Sequence, residues 1–208
     1  MSTRRVRQHV NPFSYRGPVE VPPWEELFAR PNLPLEVDVG CAHGDFLIGR
    51  ARLDPDCNYL GLEIRAPMVE RTNHKLAREG LDNIRLIRCN ANQAWRDLFA
   101  GRLLRRVFVH FPDPWFKSRH HKRRVVTPEF VQLVGEFLEV GGEFRFMTDY
   151  DSYASDVRKL MAGQATFQNR YGPGGVAPAL EEGFPLTHRE EWHSGQGHPV
   201  HRYVWVRT

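Results

Sequence analysis

The chain has 208 residues, 41% hydrophobic and 26% charged, a composition that suits one soluble globular domain with a sizeable core. The net charge is only +4 but the pI is about 9.1, so clustering of charge matters more than its total, and nucleic acid is a reasonable partner. No stretch approaches the roughly 18 apolar residues of a membrane span, the first residues lack the apolar run of a secretory signal, and Cys41, Cys57 and Cys89 are too scattered for a zinc site or a disulfide framework, which fits a reducing cytoplasm.

Residues 1–34 are basic and then proline-rich, and they read as an N-terminal arm with one short helical piece from Trp24 to Arg30. A regular pattern begins at Leu35 and defines the main domain, 35–208. LEVDVG is a short apolar run ending in glycine, as in a buried strand. DFLIGRARL then repeats apolar residues at helical spacing. NYLGLEI is a second strand, and PMVERTNHKLAREG a helix closed by Gly80. NIRLIRC, AWRDLFAG and LLRRVFVHF read as strand, short helix and strand. TPEFVQLVGEFLEVGG reads as a helix with Thr127 as N-cap and Pro128 in its first turn. GEFRFMTD is a fifth strand and DSYASDVRKLMAG a further helix. Residues 166–199 are rich in glycine and proline, and HPVHRYVWV reads as a closing strand. Five strand–helix alternations predict an α/β fold with a mostly parallel, doubly wound sheet, the last strand pairing antiparallel at its edge.

Such sheets bind ligands at the carboxyl ends of their strands. Asp38 and the Gly40–Gly44 loop end the first strand, and Glu63 ends the second. Asn90, Asp113 and Asp149 follow the third, fourth and fifth. Gly40 allows a tight exit and Gly44 a close helix approach, although GxxxG alone is also an ordinary strand-to-helix turn. Glu63, about twenty residues beyond the glycines, suits a bidentate grip on a ribose diol, or is a solvated strand-end charge. Asp38 lies inside an apolar strand, so it needs loop amides or a bound cation beside it. Asn90 suits an adenine edge, or simple turn chemistry. A dinucleotide pyrophosphate wants amides without nearby acids. Asp38, Asp45 and Asp113 disfavour it and suit the sulfonium cation of S-adenosylmethionine.

The segment HFPDPWFKSRHHKRR joins a carboxylate, Asp113, fixed between two prolines, to five Lys/Arg and two His within eight residues. A cationic ligand and a polyanion side by side would explain the pairing. Trp115 and Phe116 suit stacking on a splayed-out base or anchoring the loop, with at least one an anchor. The run Lys117, Arg119, Lys122, Arg123 and Arg124 suits tracking of phosphates, joined by Arg4, Arg5 and Arg7 of the arm. Asp149 and Asp151 also suit capping of a helix near Tyr153. Thr187 and Glu190 have capping-box spacing.

Together these motifs (EVDVGCAHGDF, LGLEI, CNA, FVHFPDPWFKSRHHKRRVV, GGEFRFMTDY, PLTHRE) resemble the single-chain, bacterial-type tRNA (guanine-N7-)-methyltransferases over residues 35–208, and RVRQHVNPF resembles a segment found in part of that family. The PDPW-to-KRR element is highly specific. The resemblance implies a Rossmann-like enzyme that uses S-adenosylmethionine and methylates a guanine of the tRNA variable loop. It puts Asp38, Glu63, Asn90 and Asp113 at cofactor positions, Asp113 also at the catalytic one, and Gly40, Gly44 and Ala91 of the same loops are taken with them as cofactor-site candidates. Lys117, Asp149 and Thr187–Glu190 fall at substrate positions. The family includes monomers and dimers, so a homodimer stays open. This chain departs from the common pattern at Asp38 (often Glu), Ala42 (often Gly) and Asn90 (often Asp). Two other functions stand beside this one: an RNA-binding module without catalysis, which would not need the strand-end acids, and the same chemistry on another RNA.

Overall fold

The computed structural model describes residues 10–15, 19 and 21–208, so Arg4, Arg5 and Arg7 lie outside the described residues. The first strand is β1 (Leu35–Val39) and the helix after it α2 (Asp45–Leu53), α1 (Trp24–Leu27) preceding both. Then come β2 (Asn58–Glu63), α3 (Ala66–Glu79), β3 (Ile84–Arg88), α4 (Ala91–Phe99) and β4 (Leu104–His110). A 3-10 turn at Ser118–Arg123 leads to α5 (Pro128–Phe137), β5 (Leu138–Thr148) and α6 (Asp151–Ala162). The chain continues through β6 (Phe167–Asn169), α7 (His188–Gly195) and β7 (His201–Arg207).

The sheet order is β3-β2-β1-β4-β5-β7-β6. The first five strands are parallel, and β7 runs antiparallel to both β5 and β6. The closing strand therefore pairs as expected but is not outermost. The outer place belongs to β6, three residues inside a stretch whose glycines and prolines hide a strand signal. The helix after Thr127 is also shorter than its apolar pattern implies: it ends at Phe137, and Leu138 already pairs with Leu104.

Both sheet faces are covered, which is why β1 and β2 are buried throughout and lack alternation. One apolar core joins α1, α4, α5 and α6 to Val37, Val107, Val109, Phe144 and Phe146. It also takes Leu27 and Phe28, so the segment before β1 packs on the sheet. A second, smaller core joins α2 and α3 to Tyr59, Phe108 and Leu86.

On the second face, β4 and β5 are covered by the loop before α7 rather than by a helix. There Phe184 lies under the guanidinium groups of Arg50, Arg106 and Arg145, 4.7, 5.4 and 3.8 Å from its ring centre. Glu36 pairs with Arg50 and Arg106, Glu143 with Arg106, Arg145 and Arg170, and Glu181 of the loop with Arg145. Arg50 also donates to the Gly183 carbonyl. Each buried acid thus has several donors, the condition under which buried charge is tolerated. The same ions fasten the loop that delivers Thr187.

Candidate active site

A cleft of about 220 Å³ opens at the carboxyl ends of β1, β2, β3 and β4. Its wall includes Gly40, Ala42, Glu63, Asn90, Ala91 and Asp113, which converge from four separate loops. Gly40 and Ala42 both have positive φ, 81° and 50°. Only Gly40 is relieved of the strain this carries for a side chain.

Glu63 is 3% exposed, so it is no solvated strand-end charge. Its carboxylate accepts from the Ala42 amide at 3.1 Å and the Arg65 amide at 3.0 Å. The Arg65 side chain supplies two further donors, Nε at 3.0 Å and Nη2 at 2.9 Å. Arg65 went unnoticed in the sequence, although its i, i+2 spacing from Glu63 at a strand end was a usable signal.

Asp38 lies just behind the cleft wall, 3% exposed, and its Oδ1 finds no hydrogen-bond partner among the described residues. Loop amides do not satisfy it. Burial, and then the nearby Glu63 charge, push its carboxyl up to about 7. Gly44, φ 68°, is the N-cap of α2, and a Cβ added there would come within 3.2 Å of Thr72, so it serves helix approach rather than the cleft wall.

Asn90 takes the turn role expected of it. Its Oδ1 caps α4 through the Asn92 amide, and its Nδ2 donates to the Pro12 carbonyl at 3.0 Å. Val10, Pro12 and Phe13 line the cleft, Tyr15 donates to the Arg88 carbonyl, and Lys122 lies 6.0 Å from the Phe13 ring centre. A piece of the basic arm is therefore a wall of the cleft, a long-range contact no local pattern announces.

Asp113 lines the cleft after β4, held between Pro112 and Pro114. Phe111, φ 47°, and Trp115, φ 47°, make the turn. Trp115 is half-buried in the wall with Arg123 4.9 Å over it, and so anchors the loop; Phe116 is exposed. His110, in the same wall, has its imidazole pushed down to about 3 by burial and by Arg145, so it is neutral at physiological pH.

The basic run divides. Lys117, Arg119 and Lys122 are exposed and Arg123 is half-buried, and of these Lys122 and Arg123 line the cleft. Arg124 is different and corrects the expectation of a phosphate contact. It is 6% exposed, donates to the Pro114 carbonyl at 2.8 Å, pairs with Asp156 at 2.8 Å and lies over Tyr153. It bolts the Asp113 turn to α6.

Asp149 does not cap α6, whose N-cap is Tyr150 without a side-chain bond. It lies outside the cleft wall and pairs instead with Arg189 at 2.6 Å and His193 at 3.0 Å, both on α7. Burial opposes its ionisation, but the Arg189 bond and charge outweigh that and hold its carboxyl below the usual range. His193 stacks parallel on Phe111, centroids 5.8 Å apart, which ties Asp149 to the Asp113 turn. Thr187 and Glu190 form the full capping box of α7: Glu190 N donates to Thr187 Oγ1, and Thr187 N to Glu190 Oε2. Glu190 also accepts from Arg202 at 3.0 Å. Arg189 falls within the Thr187–Glu190 stretch singled out in the sequence, whereas His193 is a further site residue missed there, since it stands at no strand end.

A seven-stranded sheet in this order, with an acid-bearing cleft at the parallel strands' carboxyl ends, defines a Rossmann-like class I methyltransferase. A methyltransferase family model, described as "Putative methyltransferase", matches residues 32–203. The chain is 39% identical over 209 residues to the tRNA (guanine-N(7)-)-methyltransferase of Trichormus variabilis, covering 98% of this chain and 96% of that one. It is 38% identical over 212 residues to the protein of that name from Microcystis aeruginosa, covering 99% of each. Among solved structures, the aminoglycoside resistance methyltransferase NpmB1 shares the fold, with a TM-score of 0.58 at 16% identity over 91% of this chain and 95% of that one. The chain belongs to the tRNA (guanine-N(7)-)-methyltransferase family.

Proposed function

We propose that this protein transfers a methyl group from S-adenosylmethionine to N7 of a guanine in the variable loop of tRNA. The observation that carries the proposal is the placement of Glu63 and Asp113 in one cleft that Lys122 and Arg123 of the basic run also line. Family membership over the full chain supports the substrate.

The residues fit that cofactor. Glu63 would take the diol, the Gly40–Ala42 backbone and Asn90–Ala91 would hold the nucleoside, and Asp38, whose burial favours the neutral carboxyl, lies behind the loop. The N-terminus of α2, where a pyrophosphate would need free amides, already carries Asp45, which pairs with Lys75. When bound, S-adenosylmethionine supplies an electrophilic sulfonium methyl.

Guanine N7 has a lone pair and no proton, so the chain needs no base there. Its contribution is placement, which is worth roughly 7–11 kcal/mol when geometry is fully held. The purine turns cationic as N7 is methylated, and the Asp113 carboxylate favours that charge. The two prolines and Arg124 fix where it points. Lys117, Arg119, Lys122 and Arg123 meet phosphates, and Asp149, with Thr187 and Glu190 on α7, forms the far side of the base site. The arm (1–34) and the domain (35–208) work together, since Pro12 and Phe13 complete the cleft.

Transfer of labelled methyl to unmodified tRNA, followed by nucleoside analysis, tests the proposal. The expected product is 7-methylguanosine in the variable loop. Cofactor binding with no methylated nucleoside would point to the same chemistry on another RNA, and neither cofactor binding nor transfer would leave an RNA-binding module without this activity.

A further inference from the structure

We propose that Trp192 is a stacking platform for an unpaired base of the bound RNA, beside the acceptor guanine. The inference rests on the RNA-directed function above and adds to it a residue on α7.

Every inward position of α7 is already committed. Arg189 and His193 hold Asp149, and Glu190 holds Arg202 and the cap. Trp192 faces outward, 54% exposed. Its ring neighbours are His193, at 4.8 Å and 86°, and His198, at 5.6 Å and 59°. Neither lies parallel to the indole, so no ring stacks flat on it among the described residues.

The pattern repeats at Phe116, which is 66% exposed and, among the described residues, meets one ring, Tyr150, at 5.0 Å and 85°. Two exposed aromatic side chains thus touch residues that adjoin Asp149: Trp192 its partner His193, and Phe116 its chain neighbour Tyr150. The large exposed aliphatic residues of the sheet's other end are Leu53 at the end of α2, Leu103 before β4 and Val140 early in β5, with Val176 and Leu180 in the loop between β6 and α7. Aromatic faces suit nucleobases of any sequence, and aliphatic ones do not.

Charge favours RNA as the occupant over a second copy of this chain. The exposed cations Lys117 and Arg119 follow Phe116 on the loop whose Phe111 stacks on His193, the neighbour of Trp192. A base stacked on the indole would turn its phosphates toward those two cations.

The test uses the full chain with Trp192→Ala and Trp192→Phe, melting curves confirming the fold. Readouts are KM and kcat on unmodified tRNA, cofactor affinity, and equilibrium binding of a short single-stranded RNA. The expected result for Trp192→Ala is an RNA affinity loss of about 5- to 100-fold, falling on KM rather than kcat, with cofactor binding retained and Trp192→Phe close to wild type. RNA binding by Trp192→Ala equal to wild type overturns the inference. So does an equal loss in the alanine and phenylalanine variants, which marks a packing role, and so does a change in self-association alone. If wild type binds RNA without methylating it while Trp192→Ala loses that binding, the platform stands and the proposed activity falls.

Discussion

Arg65 occupies the carboxylate of Glu63. Its Nε and Nη2 take one carboxylate oxygen each, at 3.0 and 2.9 Å, while two backbone amides hold the remaining acceptor positions. A ribose diol binding there must displace the guanidinium and leave the amides. Arg65 is about one-third exposed, so the pair is worth about 1 kcal/mol or less. Arg65→Ala is therefore expected to tighten S-adenosylmethionine binding about 3- to 5-fold in a calorimetric titration. Weaker binding would mean that the guanidinium contacts the cofactor instead of yielding to it.

Asp113→Asn keeps the shape of the turn and removes the charge. Turnover should drop by roughly 10²–10³-fold, with tRNA affinity preserved. A variant with wild-type turnover would take Asp113 out of the chemistry.

Asp38 makes stability depend on pH. Its carboxyl titrates near 3.8 in the unfolded chain and at about 7 in the fold. Between those values the folded state holds the extra proton, so this group's contribution falls as pH rises from about 4 to 7 and is flat above. Asp38→Asn abolishes the slope. Denaturant midpoints at pH 4.5 and 7.5 should show the variant gaining on wild type by a few kcal/mol at the higher pH; a constant difference would refute the assignment.

The basic run should give tRNA binding a log–log salt slope of about −3 to −4, from four phosphates met by Lys117, Arg119, Lys122 and Arg123. Arg119→Ala should flatten it by about one. Arg124→Ala should leave the slope alone and lower stability by about 1–3 kcal/mol, through lost buried hydrogen bonds. A slope indifferent to Arg119 would remove this face from RNA binding.

Thr187→Ala breaks the α7 cap and should cost about 1 kcal/mol. Thr187→Ser retains the hydroxyl and should restore it. If the serine variant is stable yet slow on tRNA, Thr187 has a substrate role beyond the cap.

The strand ends were readable because buried parallel strands are short apolar runs closed by glycine or an acid, as in LEVDVG and NYLGLEI. The capping box of α7 was readable for the same reason: its signal is local. Arg65, His193 and the Pro12 contact with Asn90 were not, because each matters only through a partner brought near by the fold. Arg124 misled because charge in a run looks uniform until burial separates one guanidinium from its neighbours. β6 was missed because three residues between glycines carry no period.

The place of β7 between β5 and β6 bears on how the chain is made. On the ribosome β5 emerges long before β7, and its edge, carrying Phe144 and Phe146, must wait without its partner until His201–Arg207 arrives. An unpaired strand of that kind invites pairing with another nascent chain. Slow translation between Thr148 and His201 should therefore favour aggregation of this protein, and synonymous codons there become part of its folding chemistry.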